Sequence, residues 1–289
     1  MADFQSFFQE TYGALSGLSC GRPVFGKPLN DFVVRLPLSS LTRHGLVSGT
    51  TGTGKSRAVQ RLMEQLSLNG VPSLLSDAKG DVTGFVREGT PENQKLAFKE
   101  PPKAFATQYW SASDLLASMR FSLQDTDPAL VARLLELNPT QEGHVVLAFV
   151  HAKKAKKPIH DLEDLAAVLS ELVEQKAPGI SRSAADVVVR RVVEAQAKGL
   201  GGLFGKPNLD LKDLLGPGRH HVLYLGDVRR HASVAAVLPV FLLYKLFVEL
   251  PQDPTLKLVV FLDEAHTVFS GANKSLLELV DRVLRQIRS

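Results

Sequence analysis

The run of apolar and polar positions along the chain falls into three stretches. Residues 2–12 have the spacing of an amphipathic helix or a loosely held arm. Phe32-Val33-Val34 leads through a turn-rich stretch to Arg43-His44, and Gly45-Leu46-Val47-Ser48 predicts a short apolar strand. Val59, Leu62, Met63 and Leu66 then recur at helical spacing, with Gly70 as the stop. Val71 to Asp77 predicts a second strand, and Gln108-Tyr109-Trp110 a further short one.

From about residue 122 to 215 the pattern is helix after helix. Asn138-Pro139-Thr140-Gln141 combines a cap, a proline at the first helical position and a glutamine at the third. Asp161 opens a helix to about Gln175, and Ser183 opens another that Gly199 ends. Strands then return. His221 to Gly226 predicts one, a helix runs to about Leu250, and Lys257 to Leu262 is the most strongly apolar strand of the chain. A last helix starts at the capping box Ser275 to Glu278, with Leu276, Val280, Leu284 and Ile287 on one face. The expected organisation is an N-terminal arm and first part of a core domain over 1–121, an all-helical insertion over 122–215, and the second part of the core over 216–289. Near-continuous apolar strands alternating with helices imply an α/β fold whose mainly parallel sheet is covered on both faces.

Composition changes this picture little. The chain has 289 residues, 44% hydrophobic and 22% charged, which is ordinary for a globular protein. A formal charge of +4 permits a nucleic-acid partner without arguing for one. Cys20 is the single cysteine, so no internal disulfide exists, and a reducing, cytoplasmic setting is expected. The N-terminus lacks a basic-then-apolar signal pattern. The longest apolar stretch, Val234 to Tyr244, is interrupted by Pro239 and is too short for a bilayer, so a buried helix and no membrane partner are expected.

The chemistry is concentrated at two strand ends. Gly49-Thr50-Thr51-Gly52-Thr53-Gly54-Lys55-Ser56 matches the Walker A pattern, between an apolar segment and a helix. Glycines let successive backbone N–H groups turn inward on an anion, and the helix adds its positive end. Lys55 is the point charge for the β- and γ-phosphates, and the Ser56 hydroxyl is a hard oxygen ligand for Mg²⁺. The strand Lys257 to Leu262 ends in Asp263-Glu264. Asp263 is the expected magnesium residue and Glu264 the general base that polarises the attacking water. A glutamate beside the Walker B aspartate favours water over a kinase acceptor. With His266 the run reads Asp-Glu-Ala-His, as in one helicase superfamily, but there the box follows the Walker lysine much more closely. Asn273-Lys274-Ser275-Leu276 lacks the aspartate of a guanine motif, so ATP is favoured over GTP.

Taken together, Arg43 to Ser56 resembles the P-loop of the HerA/FtsK superfamily, and within it the HerA-like helicase C-terminal domain family. Asp77-Ala78-Lys79-Gly80-Asp81 is similar to that family's Asp-x-Lys-Gly-Asp run. Leu134 to Gln141, Leu162-Glu163-Asp164-Leu165, Leu203 to Asp210 and Phe261 to His266 match it in order. The resemblance implies a RecA-like P-loop NTPase core, ATP hydrolysis with Mg²⁺, and a homo-oligomeric ring, usually a hexamer, that moves DNA. It also implies a further strand with a polar sensor residue, and later an arginine finger, beyond the equivalent of Ser289, so the chain is expected to stop inside its core sheet. Arg285 and Arg288 are candidate inter-subunit cations, with solvated charges the favoured reading. The family match carries no role for Asp77, Lys79 and Asp81, where a Gly80 turn and a solvated Lys79 are an equal alternative.

Other features point to structure. Lys153 to Lys157 fit a helix C-terminus facing water better than a phosphate contact. Trp110 fits a core position. His220-His221, His151 and His160 lack metal-type partners. Two functional readings remain: a motor ATPase acting on nucleic acid, and an ATP-dependent switch or binding module with little or no hydrolysis. A small-molecule phosphotransferase is disfavoured by Glu264.

Overall fold

The computed structural model describes residues 2–12, 16–22, 24–25, 27–28, 32–89, 103–111, 119–124, 126–226, 232–250, 255–266, 277–278 and 281. Four short runs pair as the central sheet: β5 (Ser73–Asp77), β6 (Thr107–Ser111), β7 (His220–Tyr224) and β8 (Val259–Leu262). Their order is β6-β7-β5-β8, and every pair is parallel. Ahead of them lie α1 (Ala2–Tyr12) and the short strands β1 (Leu18–Gly21), β2 (Val24–Phe25), β3 (Lys27–Pro28) and β4 (Val34–Leu36). β1 pairs antiparallel with β4. The remaining helices are α2 (Lys55–Leu68), α3 (Pro128–Leu134), α4 (Pro139–Ala155), α5 (Leu162–Glu174), α6 (Arg182–Ala197) and α7 (Ala232–Glu249).

Alternation along the strands sends successive side chains to opposite faces of the sheet. Leu75 and Phe261 pack with Val59 and Met63 of α2, and with Val82, Phe85 and Phe105. Leu74, Leu223, Val260 and Leu262 face the larger core, which α7 shares with α3 to α6. The sheet is therefore covered on both faces, as expected from strands alternating with helices. Val237, Leu238 and Val240 to Leu243 of α7 are all buried, so the helix is apolar around its circumference despite Pro239. No described helix is long and apolar enough to cross a membrane. A cavity of about 10 Å³ between β5, β8 and α7, lined by Ser76, Pro239 and Leu242 among others, has room for one water and not for a nucleotide.

The helical stretch starts where its caps predict. Asn138 and Gln141 form the reciprocal box at the head of α4, and Asp161 and Asp164 form another at α5. The Ser183 start is corrected: Ser181 is the cap of α6, its hydroxyl accepting from Ala184 N. Lys153 and Lys154 occupy the last turn of α4 and Lys156 is its left-handed cap residue, so this lysine run sits at a helix end. Trp110 packs against the larger core.

The predicted strand Gly45 to Ser48 is also corrected. Residues 44–50 have no regular structure, and Leu46 and Val47 are 87% and 43% exposed. A strand exists only through its ladder, and among the described residues β8 pairs with β5 alone. Of the predicted last helix, Ser275, Leu276, Arg285 and Arg288 lie outside the described residues, and Leu277 and Glu278 are helical.

Candidate functional site

The glycine loop curls because it can reach conformations closed to other residues. Gly52 and Gly54 have φ of +81° and +98°, and Gly54 is the N-cap of α2. No side chain caps that helix, so its first N–H groups face the loop unclaimed by a cap, in the arrangement that binds anions. Within the loop, Thr53 donates from its hydroxyl to Thr50 O at 2.8 Å. Lys55 folds back and donates its ammonium to Gly49 O at 2.8 Å and Thr50 O at 3.0 Å.

The acidic strand ends meet this loop through a turn. Asp263 N donates to Ser76 O at 3.2 Å, which carries the β5–β8 register one step further and sets Asp263 beside Asp77 on the face covered by α2. Asp77 is fully buried. Its carboxylate accepts from the backbone N–H groups of Lys79 (3.0 Å), Gly80 (2.7 Å) and Val82 (3.3 Å), folding residues 77–82 into a tight turn. Gly80 takes φ +79° there, and a Cβ at this position would stand 2.9 Å from the ring of Tyr224.

That turn reaches both halves of the site. Ser56 donates its hydroxyl to Asp81 Oδ2 at 2.9 Å, and Gln60 donates its amide to Asp81 O at 3.1 Å. One carboxylate oxygen each of Asp77, Asp81 and Asp263 lies within 4.8 Å of the other two. Asp263 Oδ2 is buried without a hydrogen-bond partner. Burial is the main cause that raises the Asp263 pKa above the usual carboxylate value, with Glu264 and Asp81 adding repulsion. Hard, crowded oxygens of this kind, with a hydroxyl alongside, suit a small divalent cation such as Mg²⁺.

Glu264 has φ +47°, an uncommon conformation for a non-glycine residue. Its carboxylate forms an ion pair with the Lys79 ammonium through Oε1, and Oε2 lies 3.1 Å from His266 Nδ1. The hydrogen bond from Lys79 is the main cause that holds the Glu264 pKa below the ordinary glutamate value, and the same bond raises that of Lys79. Lys55 adds a smaller attraction to Glu264. Of the sequence-predicted residues, Gly49 to Gly54 thus form the loop and Lys55 and Ser56 open α2, and Ser56 is joined through Asp81 to the cluster that holds Asp263. The run Asp77 to Asp81 supplies partners whose roles the sequence left open.

The family model described as helicase HerA-like, C-terminal, matches residues 24–289. The chain belongs to this family. Among solved structures, this HerA-like chain is similar to VirB4 of Thermoanaerobacter pseudethanolicus, at 13% identity and TM-score 0.56, over 94% of this chain and 75% of that one. It is also similar to the conjugative coupling protein TrwBΔN70 in an unbound form, at 16% identity and TM-score 0.56. That likeness covers 91% of this chain and 62% of that one, so the HerA-like chain spans less than two thirds of that structure's length. TrwB in complex with the GTP analogue GDPNP matches at 16% identity and TM-score 0.53, over 98% of this chain and 74% of that one. Identities this low establish the RecA-like fold shared with VirB4 and TrwB and no more. No curated protein sequence matches the chain.

Proposed function

We propose that this HerA-like chain binds ATP with Mg²⁺ and hydrolyses it. One observation carries the reading: the Ser56 hydroxyl at the head of α2 and the Asp263 carboxylate at the end of β8 converge on the same neighbour, Asp81. In this reading Gly49 to Gly54 cradle the phosphates with backbone N–H groups, and Lys55 exchanges its loop carbonyls for β- and γ-phosphate oxygens. Ser56 and Asp263 would hold the magnesium, and the Ser56 hydroxyl keeps donating its hydrogen bond to Asp81. The ion supplies neutralisation of the charge gathering on the phosphate oxygens. Glu264 orients the attacking water and takes its proton as the water oxygen bonds to the γ-phosphorus and the bond to the bridging oxygen breaks, releasing ADP and phosphate.

The proposed division is a core of 1–121 and 216–289 around a helical insertion at 122–215. A homo-oligomeric ring acting on DNA is the corresponding partner reading, by family analogy. A second reading, an ATP-dependent switch with little hydrolysis, is favoured by the engagement of Glu264 with Lys79. Phosphate release from ATP, with and without DNA and with GTP as competitor, decides between them. Magnesium-dependent release that Glu264→Gln abolishes while fluorescent-nucleotide binding persists is the result expected. Binding without release supports the switch, and no magnesium-dependent binding removes both.

A further inference from the structure

We propose that Lys79 is a positioning residue for hydrolysis: it clasps Glu264 away from the attacking water, so that the clasp must open in every turnover. This rests on the ATPase reading of the site and adds a regulation of its base. Lys79 is carried on a turn whose backbone is tied at three N–H groups to the buried Asp77 carboxylate. The turn is also tied to α2 at two points of Asp81, so it stands at a defined place between the glycine loop and β8. From there the ammonium meets Glu264 Oε1, while His266 lies against Oε2. A carboxylate with its oxygens facing an ammonium and an imidazole cannot present the same lone pairs to water, and is a poorer proton acceptor while so held.

The clasp is built to open. The Lys79 side chain is 46% exposed and that of Glu264 25% exposed, and an ion pair this accessible to water is weak. The turnover rate then carries the fraction of time that Glu264 is released, as for any two-state element in which one state is competent. The same turn holds Ser56 through Asp81, so the run Asp77 to Asp81 contacts both the phosphate loop and the base. No spacing rule in the sequence assigns it that part.

The test uses the 289-residue chain with Lys79→Ala, Lys79→Arg, Glu264→Gln and the double variant Lys79→Ala/Glu264→Gln, reading phosphate release and binding of a fluorescent ATP analogue. Freeing a pair of this strength is expected to raise kcat about two- to fivefold with KM for ATP unchanged. Lys79→Arg should restore the wild-type rate, and the double variant should fall to the level of Glu264→Gln, because the gain passes through that carboxylate. A structural role alone would not produce a rise that a second substitution at Glu264 cancels. A kcat for Lys79→Ala at or below wild type, with nucleotide binding intact, overturns the clasp and leaves the binding reading standing. Loss of magnesium-dependent nucleotide binding in the wild-type chain overturns both.

Discussion

The Asp77 carboxylate closes a ring of three backbone N–H donors within its own turn, while Asp263, its neighbour across the β5–β8 ladder, leaves a buried oxygen unpaired. Two aspartates at equivalent strand ends therefore have different work. Asp77 accepts three backbone N–H groups and organises the turn, and Asp263 keeps the buried oxygen that the proposed function turns toward a cation.

This difference predicts opposite outcomes for the two alanine variants. Asp77→Ala removes a fully buried anion and strands three N–H groups, which is expected to destabilise the chain by roughly 2–4 kcal/mol. Asp77→Asn keeps an acceptor for Lys79 N and Gly80 N and should lose much less. Asp263→Ala removes a carboxylate whose burial opposes its charge, so it should leave stability nearly unchanged or raise it, while weakening magnesium-dependent nucleotide binding. Urea unfolding and nucleotide titration on the same three proteins check the pattern. Equal destabilisation by both alanines would remove the distinction.

Gly80 predicts a second effect on the same turn. Alanine there must accept φ +79° and crowd the Tyr224 ring at 2.9 Å, for a cost of about 1–3 kcal/mol. Tyr224→Ala in the Gly80→Ala background relieves the contact and not the dihedral, so it should recover only part of the loss. Full recovery would mean that crowding, not backbone strain, selects glycine at this position. The Ser56–Asp81 and Lys79–Glu264 contacts hang from this turn, so Gly80→Ala should also alter nucleotide binding more than its stability cost explains.

These residues mark where the sequence stops being legible. The glycine loop, the acidic strand end and the parallel sheet can be derived from short-range rules, because glycine positions, apolar runs and caps act within a few residues. The boxes at Asn138 and Asp161 form for that reason. The Gly45 to Ser48 segment fails because strand formation is a property of a pair: its composition fits a strand, and no described neighbour supplies the ladder. Ser181 displaces Ser183 as a cap because both serines satisfy the same local rule, and the hydrogen bond to Ala184 N decides between them. The partnership of Lys79 with Glu264 joins ends of two strands far apart in sequence. Only the β5–β8 register brings them together, and register was not readable from either strand alone. The burial of both His220 and His221 depends on strand pairing in the same way.

The histidine pair predicts a pH dependence of stability. His220 and His221 are 0% and 1% exposed on opposite faces of β7. His220 shares a hydrogen bond with the Ser73 hydroxyl at 2.8 Å, with its ring 5.0 Å from that of Phe85 and 5.7 Å from that of Phe105. His221 Nδ1 accepts from the Trp110 indole N–H at 3.2 Å, so a protonated imidazole would turn a donor toward a donor. Burial pushes both pKa values down to about 4, with His221 lowering that of His220 further, and Arg219 lowering that of His221 against a smaller opposing pull from Asp213. In the unfolded chain both titrate near 6.5. Above that pH neither state binds the protons and the pair has no effect. Between about 6.5 and 4 the unfolded state binds them and the native state does not, so stability falls as the solution is acidified. The slope is up to about 1.4 kcal/mol per pH unit for each imidazole. Trp110 is the single tryptophan and stacks near His221, with centroids 6.4 Å apart, so its fluorescence reports unfolding at this strand. Denaturation curves at pH 7.5, 6 and 5 should show the midpoint dropping through the last two, and His221→Gln should flatten the trend by about half. A midpoint that stays level from pH 7.5 to 5 would mean that these imidazoles titrate alike in both states, and that their burial does not govern acid stability.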